Sequence, residues 1–125
     1  MILIIGGAYQ GKLNYAKERF KLTEEDISYC SLEEEPDFSK PCISGLHLFV
    51  VGAIQRGIDP IEYINSRMEI LKSKIIICDD ICSGIVPLEK ENRLWRDNTG
   101  KILQLLARQS DEVIRLFSGI PQNLL

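Results

Sequence analysis

At 125 residues, 45% hydrophobic and 26% charged, the chain can bury a core without metal or disulfide staples and is expected to form a single domain over residues 1–125. A net charge of −3 and a pI near 5.2 exclude a broad electrostatic surface for nucleic acid or anionic lipid. The apolar opening run at residues 1–5 is too short to span a membrane and follows no basic segment, so a cytoplasmic location is expected.

Ile2-Leu3-Ile4-Ile5 is continuous in apolar character, as in a parallel strand covered on both faces. It breaks into Gly6-Gly7-Ala8-Tyr9-Gln10-Gly11-Lys12, which matches the phosphate-loop pattern G-x-x-x-x-G-K-[ST] at every fixed position except the last, where Leu13 stands. Glycines let backbone N–H groups wrap closely around an anion. The following helix contributes its positive end, and Lys12 a mobile charge for the β- and γ-phosphates. Gly6, Gly7, Ala8, Tyr9, Gln10, Gly11, Lys12 and Leu13 are therefore the expected binding set for ATP or GTP, with Lys12 also catalytic. Leu13 has no hydroxyl to offer Mg²⁺, which weakens metal ligation although water can take the vacant place.

Leu13, Ala16 and Phe20 recur at helical spacing, so residues 12–20 are predicted helical. Ile27-Ser28-Tyr29-Cys30 is a short strand candidate. Residues 31–41, with Pro36, Pro41 and the solvated triplet Glu33-Glu34-Glu35, read as a loop. From Gly45 onward, Leu46, Phe49, Val50, Ala53 and Ile54 form the stripe of a core-facing helix. His47, the single histidine, lies one position off that stripe and is read as non-catalytic. Asp59 is a good N-cap, with Pro60 at the first helical position and Glu62 completing a capping-box-like arrangement for a helix to about Leu71.

Residues 74–78 form a β-branched strand that ends in Asp79-Asp80. Two carboxylates thus lie at the carboxyl edge of a parallel strand, where open α/β sheets place their ligands. Asp79 and Asp80 are expected to hold Mg²⁺ directly or through water. A turn at 84–87 precedes a long helix over about 88–108, and residues 112–117 form a last strand. This alternation predicts an α/β fold, a mostly parallel sheet with helices on both faces. Cys30, Cys42, Cys78 and Cys82 are read as reduced thiols, since no second short-spaced ligand pair accompanies Cys78 and Cys82.

Two blocks resemble the adenosylcobinamide kinase/adenosylcobinamide-phosphate guanylyltransferase family of cobalamin biosynthesis. Residues 4–12 are similar to that family's G-G-x-x-S-G-K-S loop. Asp79-Asp80-Ile81-Cys82-Ser83-Gly84-Ile85-Val86-Pro87 looks like its N-E-V-G-x-G-I-V-P segment. Arg96-Asp97 and Gly100 then match R-D-x-x-G. Ala107, Asp111-Glu112-Val113 and Ser118-Gly119-Ile120-Pro121 follow its closing A-D-x-V and S-G-I-P pattern. The blocks cover about the first 20 and last 47 residues.

The resemblance implies a P-loop NTPase with a RecA-like sheet, phosphoryl transfer from ATP or GTP to adenosylcobinamide, and a homo-oligomer. It puts Asp80 where the family has Glu, at the edge of the catalytic site, and lets Arg96 reach a phosphate. Leu13 stands for the loop's Ser, Pro41 precedes Cys42-Ile43-Ser44 where the family has an acidic residue, and residues 14–46 lack the histidine that becomes guanylylated. The guanylyltransferase step is therefore expected to be lost. The alternatives are a non-catalytic nucleotide- or corrinoid-binding protein on the same fold, and a kinase for an unrelated small molecule.

Overall fold

A computed structural model describes residues 1–81 and 90–125 of the chain. The elements are β1 (Ile2–Gly6), α1 (Lys12–Phe20), a 3₁₀ turn (Glu24–Asp26), β2 (Ile27–Tyr29), β3 (Cys42–Ser44), α2 (Leu46–Gln55), α3 (Pro60–Ser66), α4 (Met68–Leu71), β4 (Ile75–Asp79), α5 (Lys90–Gln109), β5 (Glu112–Phe117) and β6 (Ile120–Asn123). The six strands form one sheet in the order β2-β3-β4-β1-β5-β6. All neighbours are parallel except β5 and β6.

Side chains on successive strand residues point to opposite faces, and here both faces are covered. Leu3, Ile43, Ile76, Cys78 and Val113 pack with Leu46, Phe49, Val50 and Ala53 of α2, Tyr63 and Ile64 of α3, and Ile102 and Leu106 of α5. The alternate residues Ile4, Cys42, Ile77, Ile114 and Leu116 pack with Ala16 and the half-buried Leu13, Tyr15 and Phe20 of α1. That double burial is why β1 and β4 read as unbroken apolar runs rather than alternating ones. No described helix is long and apolar enough to cross a membrane.

The structure departs from the sequence reading at several elements. The helix expected from Asp59 to Leu71 is interrupted at Arg67, whose φ of −113° and ψ of 13° are not helical. Just before it, the Ser66 hydroxyl donates to Tyr63 O at 2.7 Å, a local bond that competes with the helical pattern. The Asp59 cap is present, its Oδ1 accepting from the amides of Ile61 and Glu62. β4 extends one residue further than predicted and includes Asp79. Two strands are additional. β3 is three buried residues, too short to show a period, and β6 is an exposed edge strand containing Pro121. The predicted turn at 84–87, together with Cys82, Ser83, Leu88 and Glu89, lies outside the described residues.

Candidate functional site

The carboxyl ends of β1, β3 and β4 lie side by side, because parallel pairing sets Ser44 against Ile77 and Gly6 against Asp79. The loop leaving β1 begins at Gly6, where a Cβ would come within 2.6 Å of the Leu116 carbonyl oxygen, so β5 leaves room there only for glycine. Tyr9 is wholly exposed at the loop tip with φ 62°. Gln10 ties the loop to the β5–β6 turn: its side-chain Oε1 accepts from the amide of Ser118, and its carbonyl accepts from the amide of Gly119 at 3.1 Å. Gly11, left-handed at φ 88°, turns the chain into α1.

Lys12 is buried although charged. Its Nζ donates to Gly7 O at 2.7 Å and pairs with Asp79 Oδ1 at 2.7 Å. Burying an ammonium is costly unless it is paired, and these partners hold it at the centre of the loop. Asp79 Oδ2 lies 3.4 Å from His47 Nε2, while the Asp79 amide donates to His47 Nδ1 at 3.1 Å. A donor on Nδ1 requires a lone pair there, so the proton of the neutral ring sits on Nε2, facing the carboxylate. Burial pushes the His47 pKa below its ordinary value; Asp79 opposes that shift and Lys12 reinforces it. The Asp80 amide donates to Gly6 O at 2.8 Å, which fastens the end of β4 to the start of the loop.

These groups surround a cavity of about 240 Å³. Tyr9, Gly11, Lys12, Leu13 and Asn14 line it from the β1–α1 side, Ser44, Gly45 and His47 from the β3–α2 side, and Ile77 and Asp79 from β4. Of the residues singled out in the sequence, Lys12, Leu13 and Asp79 thus share one cavity with Tyr9 and Gly11. Asp80 adjoins through its backbone, and its half-buried side chain does not line the cavity. Arg96 is half-buried on α5 and does not line it either. The neighbouring Trp95 Nε1 donates to His47 O at 2.8 Å, which fixes α5 against the start of α2.

His47 and Ser44 were missed as cavity residues. The usable signal for His47 was its place one step off the apolar stripe of α2, close behind a strand end. Its partner, Asp79, is 32 residues away in sequence and was not predictable from local pattern.

The family model described as cobinamide kinase / cobinamide phosphate guanyltransferase matches residues 58–124, just over half of the chain. The chain belongs to this family. Within the cavity, Ile77 and Asp79 fall inside the matched segment, whereas Lys12, Ser44 and His47 precede it. The cobinamide kinase match also spans Asp80 and Arg96. No curated protein matches the chain.

Proposed function

We propose that the chain is a nucleotide-dependent kinase that transfers a phosphoryl group from ATP or GTP to adenosylcobinamide in cobalamin biosynthesis. The observation that carries this reading is the buried Lys12 ammonium, held by Gly7 O and Asp79 in a glycine-rich loop between a strand and a helix. Membership of the cobinamide kinase family supplies the acceptor class. The strand order, with β1 internal and helices on both faces, supports a P-loop NTPase of RecA-like type.

In this reading residues 6–13 cradle the triphosphate. Lys12 leaves its carbonyl partner to meet the phosphates and offsets the charge that develops on the transferring group. Of the two carboxylates only Asp79 lines the cavity, and a single carboxylate is within what Mg²⁺ accepts when water and phosphate oxygens fill its shell. Asp79 would hold it, and it would supply charge neutralisation at the phosphates. Leu13, packed partly into the α1 face, contributes no oxygen. Asp80 orients the metal or the acceptor hydroxyl, and Arg96 reaches a phosphate when substrate is bound. In this reading the guanylyltransferase step is lost, which is supported by the setting of His47, the only histidine, both of whose ring nitrogens face Asp79.

Incubation with adenosylcobinamide, Mg²⁺ and ATP or GTP is expected to give phosphorylated adenosylcobinamide, with no label retained on the protein from α-labelled GTP. Lys12→Ala abolishes turnover. Absence of product with either nucleotide overturns the assignment. Leu13 favours a second reading, a non-catalytic nucleotide- or corrinoid-binding protein, which is distinguished by nucleotide affinity indifferent to Mg²⁺ and no turnover.

A further inference from the structure

Two helix amino-termini border the cavity, and the phosphate loop accounts for only one of them. β1 reaches α1 through the left-handed Gly11, with φ 88° and ψ 19°. β3 reaches α2 through the left-handed Gly45, with φ 81° and ψ 37°. Neither cap is closed by a side-chain hydrogen bond; in α2 the Leu48 amide donates to Gly45 O at 2.9 Å, which leaves the amides of Leu46 and His47 without an intrahelical partner.

A second observation distinguishes the α2 end. Ser44, the last residue of β3, is only 9% exposed and lines the cavity. Its hydroxyl makes no hydrogen bond among the described residues, although its carbonyl accepts from Cys30. The Oγ keeps access to the cavity, a space that also holds Lys12. Across that space lies Leu13, in the place where the loop motif has a hydroxyl.

We propose that the β3–α2 turn is the second half of the phosphate site. Ser44 Oγ–H and the first amides of α2 bind the terminal phosphoryl oxygens of a nucleoside triphosphate, a donor role distinct from the metal-ligand role of the hydroxyl that Leu13 lacks. This assignment rests on the phosphate-loop reading given above. The Asp79 carboxylate also lines the cavity and repels a phosphate, but Lys12 lies 2.7 Å from its Oδ1 and neutralises it. A diphosphate held by residues 6–12 alone has no terminal phosphoryl group to reach Ser44, so the subsite discriminates triphosphate from diphosphate.

Titration calorimetry of the full chain with ATP, ADP, GTP and GDP tests it. Ser44→Ala is expected to weaken triphosphate binding about tenfold, the loss of one hydrogen bond to a charged group, and to leave diphosphate binding unchanged. Ser44→Thr, which keeps the hydroxyl, retains the triphosphate preference, whereas Lys12→Ala weakens both ligand classes. Equal loss for both classes in Ser44→Ala, or no loss, overturns the subsite and leaves the phosphate loop standing. A wild-type chain that binds no nucleotide overturns the loop and the subsite together. Circular dichroism checks folding, and if Ser44→Ala does not fold, Ser44→Cys serves in its place with the same expected outcomes.

Discussion

His47 and Asp79 engage each other twice: the amide of Asp79 donates to one ring nitrogen, and its carboxylate faces the other. A single histidine on α2 thereby sets both the backbone and the side chain at the end of β4. The carboxylate so oriented is the one that holds Lys12.

Removing that ring leaves the Asp79 N–H without its acceptor. His47→Ala is expected to cost about 1–3 kcal/mol, the usual range for orphaning a buried donor. His47→Asn, whose side-chain oxygen can occupy the place of Nδ1, recovers most of it. Urea denaturation gives the stability, and hydrogen exchange at the Asp79 amide reports the bond directly. Unaltered protection of that amide in His47→Ala would contradict the pairing.

Leu13→Ser returns a hydroxyl to the loop. The expected result is a several-fold gain in nucleotide affinity with Mg²⁺ present and no gain without it, read by calorimetry. The variant also gives up part of a half-buried apolar contact with the α1 face, worth about 1 kcal/mol. Affinity that rises equally with and without Mg²⁺ counts against a metal role for this position.

Gly6→Ala places a methyl group 2.6 Å from Leu116 O, at a φ of 156° that side chains rarely adopt. Because the obstacle is the backbone of β5, hydrogen-bonded to a strand on each side, it cannot swing aside. A loss of about 2 kcal/mol or more is expected in chemical denaturation. A midpoint within error of the wild type would contradict the close approach of β5 to Gly6.

Burial pushes the Cys30 thiol up to about 12 and the Cys42 thiol up to about 11, from an ordinary value of 9.0. Below that ordinary value both thiols are protonated in folded and unfolded chains alike, and their contribution to stability is fully present. As pH rises through 9 toward 11 and 12, the unfolded chain releases protons that the folded chain retains, so stability falls with increasing pH. Melting temperatures measured between pH 8 and pH 11 should therefore decline, and the decline should be shallower in Cys42→Ala. At pH 8, iodoacetamide should leave Cys30 and Cys42 unmodified until the chain unfolds.

Much of this was legible in the chain. Unbroken apolar runs announced β1 and β4, a sharp 3.6-residue stripe announced α2, and Asp59-Pro60 announced the start of α3. β3 escaped because Cys42-Ile43-Ser44 is shorter than one period of any pattern and is flanked by Pro41 and Gly45. β6 escaped because a proline and four exposed side chains argue against a strand. Its turn carried a signal all the same: Ser118-Gly119, both at positive φ, is a two-residue hairpin connection. In the site, the loop residues share a local motif and could be read together. The His47–Asp79 pairing, and the placing of Ser44 and Leu13 on one cavity, arise only when β3, β4 and β1 are set side by side, and no local pattern encodes that adjacency.

The bond from Trp95 Nε1 to the His47 carbonyl has a practical side. Trp95 is the only tryptophan in the chain, so its emission comes from a single indole. That indole is fastened to the residue whose ring borders the cavity. The protein therefore carries its own optical gauge of events at the start of α2, readable in stopped flow without a label or a substituted residue.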